Sequence, residues 1–205
     1  MKKSKYDEVQ LKDLILQMVE TESGGQQVYE MAISCALNED LKSEWEKYLE
    51  ETLTHQKVVQ HLCDELGIDA KEKTPSRAVV KHIGESLVAA MALAKKTGSP
   101  QAAELVACEC VVHAETKDHA NWELLGMVAE AAAGTPTGKT LKEAHEKVED
   151  DEDHHLYHTM GWCRELSVQN LGLPAALPPP EEVKSVKTAI GASRAQQQRE
   201  TMLSK

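Results

Sequence analysis

The sequence predicts an all-α protein, and three observations support this. Hydrophobic residues fill 41% of the 205 positions, but Phe is absent and aromatic residues reach only 3%, so the core must be mainly Leu, Val, Ala and Met. That composition favours helices over sheets. Apolar residues recur at helical spacing along four long stretches, which turn residues separate. We therefore expect a four-helix bundle of two helical hairpins over residues 1–170, with a long crossover that carries a short extra helix.

A first long helix is predicted over about residues 6–37. Glu22 lies in the middle of its apolar stripe, where a carboxylate is costly unless it is paired or binds a metal. Gly24 and Gly25 follow shortly after. Glycine inside a helix is less favourable than Ala by about 1 kcal/mol, so the pair indicates a close neighbour, a small ligand or a local π-bulge at this point.

A second long helix is predicted from the turn at Asn38 to Leu66, with Gly67 as its C-terminal cap. Glu51 and His55 lie on its inward stripe and share a face because they are four residues apart. A histidine alone on such a face is more often a hydrogen-bonded core residue than a ligand. The neighbouring glutamate makes a metal-binding role competitive.

The crossover is predicted at residues 67–99, with a shorter amphipathic helix over about 77–96. The third long helix follows over about 100–132, and Glu115 interrupts its stripe as Glu22 interrupts the first. Both glutamates are therefore expected on faces that pack against other helices.

The fourth long helix is predicted from an N-cap at Thr140 to about Asn170. It contains five consecutive acidic residues and then two histidines. Glu152 and His155 form a Glu-x-x-His pattern on its inward stripe, which is typical of carboxylate-bridged di-metal sites in helical bundles.

The two halves of the chain repeat one pattern. Each half has a helix with one glutamate at mid-stripe, Glu22 or Glu115, followed by a helix in which an acid precedes a histidine by four residues, His55 or His155. Four buried and unpaired interruptions would cost several kcal/mol, against a total stability of about 5–15 kcal/mol. Two divalent cations shared by the carboxylates would offset this cost.

This arrangement resembles the ferritin-like superfamily, in which two helices each supply a Glu and two supply Glu-x-x-His, with a long crossover between the halves. Glu22 with Tyr29 resembles the first helix of rubrerythrins, and the stretch from Leu49 to Gly67 is similar to ferritin-like stress-response proteins. The resemblance covers about residues 8–170. It implies a ferritin-like four-helix bundle with two metal ions.

Carried over position by position, the resemblance implies six metal ligands: Glu22, Glu51, His55, Glu115, Glu152 and His155. The chain departs from the family pattern because Thr52 stands three residues before His55, and because Asp151 competes with Glu152. Second-choice ligands are Asp151, His119 and His154. Asp118 or Glu149 is expected to hold the outer nitrogen of a histidine.

The resemblance implies a non-haem di-iron or di-manganese protein, connected with oxidative stress, that reacts with peroxide or O₂ or handles iron. The Glu and His ligands suit Fe and Mn. Because no rubredoxin-like cysteine set is present, electrons would come from an external donor. The Ala-rich helices suggest a homo-oligomer, for which we predict a dimer.

Two other functions fit the same residues. A histidine-rich bundle of the haemerythrin or DinB kind would bind O₂ or one metal through His113, His119, His154, His155 and His158. A metal-free ferritin-like scaffold would act as a structural or stress-associated binding protein.

The net charge limits the expected binding partners, and the targeting signals and cysteines bear on the expected location. The net charge of −11 argues against nucleic acid or an anionic membrane as a partner. The sequence contains no apolar run long enough to cross a bilayer and no signal peptide. Five scattered cysteines without a Cys-x-x-Cys pair indicate reduced thiols, and we expect a cytoplasmic protein.

Residues 171–205 are predicted to form a proline-rich linker and a flexible tail. Within the tail, Thr188–Arg194 loosely resembles the C-terminal peptides that load ferritin-like cargo into encapsulin shells, although a plain soluble tail is the simpler interpretation.

Overall fold

The computed structural model describes residues 6–173, which form six α-helices and no β-strand. The helices are α1 (Glu8–Cys35), α2 (Glu39–Leu66), α3 (Pro75–Thr97), α4 (Pro100–Ala131), α5 (Pro136–His145) and α6 (Glu149–Asn170). The prediction of an all-α protein is confirmed. None of the helices within the described residues is both long and apolar enough to cross a bilayer.

Local signals define most of the helix ends. The side chains of Asp7, Asn38, Thr74 and Ser99 each accept a hydrogen bond from a backbone N–H in the first turn of α1 to α4. Gly67 ends α2 in the left-handed conformation, at φ 65°, which costs glycine no Cβ clash. This cap was predicted from the sequence.

The prediction of one continuous fourth helix from Thr140 was wrong. The chain forms α5 and α6, separated at residues 146–148, and Thr135 rather than Thr140 caps α5. Pro136 suits the first position of α5. A helix that begins at Glu149 has four acidic residues in its first turn, where the helix dipole favours negative charge; inside a longer helix these charges would repel one another without that compensation.

Helix α1 packs against α2, α3 and α4, while α4 also packs against α3, α5 and α6. Buried apolar side chains form two clusters. One includes Tyr29, Trp45 and Val111, and the other includes Ile15 and Trp122. Apart from Glu104 near the start of α4, the buried polar residues on α1, α2, α4 and α6 fall between the members of these two clusters along the chain.

The glycine pair of α1 contacts a neighbouring helix. Helix α1 continues as a regular α-helix through Gly24 and Gly25, so no π-bulge forms there. A Cβ atom placed on Gly84 of α3 would lie 3.8 Å from the Cα of Gly24, and one on Gly25 would lie 3.5 Å from Cγ2 of Thr52. The small residues therefore mark where α2 and α3 approach α1.

All five cysteines are free thiols, and four of them are buried. The predictions for the linker and tail, including Thr188–Arg194, concern residues that lie almost wholly outside the described range 6–173.

Candidate metal centre

Four helices place buried ionisable side chains at one point between the two apolar clusters. Each of these side chains is at least nine-tenths buried. They are Glu22 of α1, His55 of α2, Glu115 and Asp118 of α4, and Glu152 and His155 of α6. Burying this many charged groups is costly unless they are paired or bind a metal.

Glu152 belongs to two separate groups of ligand atoms. His55, Glu152 and His155 form one group, and Glu22, Asp118 and Glu152 form the other; within each group the ligand atoms lie within 4.8 Å of one another. Two three-residue groups that share a carboxylate have the composition of a carboxylate-bridged pair of metal sites. Either group alone offers enough donors to hold one ion.

Each of the two central histidines contacts a carboxylate of the opposite helix. Nε2 of His55 lies 3.3 Å from Oδ2 of Asp151 on α6, and Nε2 of His155 lies 3.1 Å from Oε2 of Glu51 on α2. The two rings are stacked, with centroids 5.6 Å apart. A carboxylate on the outer ring nitrogen orients an imidazole and leaves its other nitrogen available as a ligand.

The other ring nitrogens of both histidines face carboxylate oxygens. Nδ1 of His55 lies 3.0 Å from Oε1 of Glu152 and 3.9 Å from Oε2 of Glu22. Nδ1 of His155 lies 3.6 Å from Oε2 of Glu115 and 3.9 Å from Oε1 of Glu152. Neither Nδ1 atom forms a hydrogen bond, so acceptors and ring nitrogens are crowded together without a directional contact.

Six buried atoms of the centre have no hydrogen-bond partner. They are Nδ1 of His55 and His155, Oε2 of Glu22, Glu115 and Glu152, and Oδ1 of Asp118. A buried polar atom without a partner costs about 1–3 kcal/mol, and more when it is charged. Because all six are metal-ligand atom types, a cation would satisfy them together.

Burial raises the pKa of three of the carboxyl groups. The pKa of Glu22 is raised well above its usual value by burial and by the charges of Asp118 and Glu152. The pKa values of Asp118 and Glu152 are raised by burial and by neighbouring carboxylates. Without a cation, the centre therefore takes up protons to reduce its negative charge.

The two histidines respond in opposite directions. Burial alone would lower the pKa of His155, but its contacts with Glu115 and Glu51 raise it to about 10. The pKa of His55 is lowered by burial and by the charge of His155. Although burial would raise the pKa of Glu51, its contacts with His155 and Lys47 lower it to about 2. The His155–Glu51 contact is therefore an ion pair.

Aromatic residues enclose the centre. The indole Nε1 of Trp122 donates a hydrogen bond of 3.0 Å to Oε1 of Glu22, and its ring lies 6.4 Å from that of His55. On the other side, the ring centroid of Tyr48 lies 4.3 Å from that of His155, and Tyr29 lies 6.0 Å from it. This enclosure limits solvent and strengthens electrostatic interactions inside.

Comparisons with protein-family models, with curated proteins and with solved structures found no match to this chain.

Five of the six residues predicted as ligands meet in the centre, and Glu51 contacts it from outside. Glu51 belongs to neither three-residue group and holds the outer nitrogen of His155. Asp151 has the same relation to His55, while Glu152 is the shared carboxylate.

The other two second-choice ligands, His119 and His154, lie outside the two ligand groups. His119 contacts Asp153, and the ring of His154 lies against that of His158. Glu149, expected to brace a central histidine, contacts His145 instead. Of the five histidines named for a histidine-rich bundle, His155 is the one that reaches either group.

The structure places Asp118 differently from what the sequence suggested. It was expected to brace a histidine, but it lies in the group with Glu22 and Glu152. The available signal was its spacing: Asp118 follows Glu115 by three residues, so both side chains project from the same face of α4.

Proposed function

We propose that this protein binds two divalent metal ions in a ferritin-like bundle, and that the ions are iron or manganese. The observation that carries this proposal is the convergence of six unpartnered, buried ligand atoms from four helices. Four acidic residues and two histidines without a cation are an expensive arrangement to bury, and two cations supply the missing partners.

The residue roles follow from the two groups. His55, His155 and Glu152 would hold one ion, and Glu22, Asp118 and Glu152 the other, with Glu152 shared. Glu115, whose Oε2 lies 3.6 Å from Nδ1 of His155, is a further ligand for the first ion. Asp151 and Glu51 would orient the two imidazoles from outside.

The donor set favours iron or manganese. Carboxylates and imidazoles suit these metals, and no cysteine belongs to either group. Such an ion pair supplies redox chemistry toward peroxide or O₂, with electrons from an external donor, or takes part in iron handling. The ferritin-like resemblance of the sequence supports the same functions.

A metal-free scaffold is the second candidate, and one observation favours it. The raised pKa values of Glu22, Asp118 and Glu152 allow these groups to be neutral without a metal, which removes most of the repulsion. Protonation does not, however, explain why ring nitrogens and carboxylate oxygens from four helices converge with so few hydrogen bonds.

Metal analysis tests the proposal. Protein purified without chelators is expected to contain about two equivalents of Fe or Mn, as a two-ion centre requires. The Glu22→Gln/Glu115→Gln variant should lose them, because it removes two ligand charges and keeps the side-chain shapes. The matched control is Glu30→Gln/Glu109→Gln, which changes exposed residues on the same two helices.

Stability measured in chelator separates the two candidates further. Without metal, the Glu22→Gln/Glu115→Gln variant loses repulsion between buried carboxylates but also the contact of Glu115 with His155, so its stability in chelator serves as its own baseline. With Mn²⁺ added, only the wild type and the control should gain stability. A wild-type protein that binds neither Fe²⁺ nor Mn²⁺ and gains no stability from them would leave the scaffold as the function.

A further inference from the structure

A second group of ligand-type side chains lines a cavity of about 210 Å³ between α4, α5 and α6. His119 and Glu123 come from α4, His145 from α5, and Glu149 and Asp153 from α6. None of these residues belongs to the two groups of the buried centre. The cavity therefore requires its own explanation.

The polar contacts in this cavity pair imidazoles with carboxylates. Nε2 of His119 lies 2.8 Å from Oδ1 of Asp153, and its Nδ1 lies 3.9 Å from Oε2 of Glu123. Nδ1 of His145 lies 3.4 Å from Oε2 of Glu149. Two imidazoles and three carboxylates provide the donor types that bind divalent cations of the first transition row.

Glu152 connects this cavity to the buried centre. Its side chain is 2% exposed and lines the cavity, and its Oε2 has no hydrogen-bond partner. Its Oε1 lies 3.0 Å from Nδ1 of His55 inside the centre. Glu152, which the two ligand groups share, thus also lines the cavity.

The exposed fraction of the ligand-type side chains decreases from the mouth of the cavity toward the buried centre. The side chains of Glu123 and Glu149 are 62% and 58% exposed, those of Asp153 and His119 are 34% and 14% exposed, and that of Glu152 is 2% exposed. Acidic residues at the mouth attract cations, and a cleft lined by one sign of charge raises the association rate of an oppositely charged ligand.

A larger cavity of about 590 Å³ on α1 and α2 provides a contrast. It includes no residue of the buried centre. Its lining combines apolar side chains with a serine, two amides and Lys57, together with His61 and Asp64. A cation would meet one histidine and one acid there. His61 and Asp64 therefore serve as a matched control pair.

We propose that the cavity between α4, α5 and α6 is a second binding site for divalent cations, through which they reach the buried centre. His119 and Asp153 bind the entering ion, Glu123 and Glu149 attract it, and Glu152 receives it. The delivery step rests on the proposed function of the centre, whereas binding in the cavity does not depend on it.

Loading kinetics test the delivery step. Apo-protein is mixed rapidly with Co²⁺, and the visible absorbance of the bound ion is followed. His119→Ala/Asp153→Asn should slow loading by about tenfold or more, because focusing by a charged cleft changes association rates on this scale. The amount of Co²⁺ in the centre at equilibrium should be unchanged, and His61→Ala/Asp64→Asn should load like the wild type.

A variant with only surface changes tests the same step in case the first variant fails to fold. Glu123→Gln/Glu149→Gln changes only surface side chains at the mouth, so it should fold normally, load more slowly at low salt and lose most of the salt dependence of the wild-type rate. Equal loading rates for the wild type and both cavity variants, at all salt concentrations, would overturn the delivery step even if the centre binds two ions.

Binding in the cavity is measured separately, in full-length Glu22→Gln/Asp118→Asn protein with a weakened centre. Substoichiometric Mn²⁺ should broaden the imidazole NMR signals of His119 and His145 more than those of His61, His55 and His155. Stronger broadening of His55 and His155, which remain as ligands in this variant, would place the ion in the centre and overturn the cavity site. Uniform broadening or none would overturn the cavity site. If the wild-type centre binds no Co²⁺, the proposed function fails, and selective broadening still supports the cavity site.

Discussion

At the scale of single residues, the two central histidines are held by acids of the opposite helix. Glu51 of α2 contacts His155 of α6, and Asp151 of α6 contacts His55 of α2. Each acid also precedes the histidine of its own helix by four residues. Because the sequence repeats this spacing, each of the two helices supplies an acid that contacts the histidine of the other. These contacts orient both Nδ1 atoms toward the buried carboxylates.

Trp122 is expected to tune the centre through one hydrogen bond. Trp122→Phe removes the indole N–H that donates to Glu22. It should lower the free energy of unfolding by about 1–3 kcal/mol, since the bond is buried and its acceptor is a carboxylate. It should also weaken metal binding by about tenfold. Urea denaturation in chelator and a Mn²⁺ titration measure the two effects.

Trp162→Phe is the matched control for this prediction. Trp162 donates a hydrogen bond of 2.8 Å to Glu44, and neither residue belongs to the ligand groups. The control should lose stability but keep its metal affinity. Equal losses of metal affinity in both variants would show that Trp122 has no specific role at the centre.

At the scale of elements, close helix contacts depend on individual glycines. A Cβ atom on Gly138 of α5 would overlap the backbone carbonyl oxygen of Ala132, just beyond α4, whereas a Cβ atom on Gly24 of α1 would have no heavy atom within 4 Å. The backbone at Ala132 cannot move as a side chain can. A larger side chain therefore fits at Gly24 but not at Gly138.

Substituting these glycines should change stability in opposite directions. Gly138→Ala should destabilise the protein by about 1–3 kcal/mol through overpacking. Gly24→Ala should stabilise it by up to about 1 kcal/mol, because Ala is the better helix former. Urea denaturation midpoints at unchanged slope measure both effects. A stabilising Gly138→Ala substitution would show that α5 is free to move away from α4.

At the scale of the whole molecule, the centre should make stability depend on pH. The raised pKa values of Glu22, Asp118 and Glu152, and that of His155 at about 10, mean that the folded apo-protein holds protons that the unfolded chain releases. Between pH 7 and 9 His155 is protonated in the folded apo-protein and neutral in the unfolded chain. The free energy of unfolding should therefore fall as pH rises through this range, by about 1.4 kcal/mol per pH unit for that proton.

His55 does not reverse this trend. Its lowered pKa raises stability with pH only below its usual value of 6.5, outside this window. Metal should reverse the trend, because bound cations replace the protons and affinity rises with pH. Denaturation at several pH values, with chelator and with Mn²⁺, measures both slopes. A flat or rising slope in chelator would contradict the pKa shifts.

The sequence alone determined the helical class, the helix ends marked by Asn38 and Gly67, and the inward positions of Glu22, His55, Glu115, Glu152 and His155. These features follow from local capping and from the helical repeat, which decides the face of a helix on which a residue lies. The break between α5 and α6 was missed because both halves keep the same apolar periodicity.

Only the tertiary structure decided which atoms meet. Contacts between helices make Glu152 the shared carboxylate and bring Asp118 beside Glu22. They also place Glu51 against a histidine of another helix. Helical periodicity specifies a face but not the stagger along the axis. The stagger and crossing angle are set when the side chains of neighbouring helices interlock, and a shift of one turn, about 5.4 Å, would pair different residues.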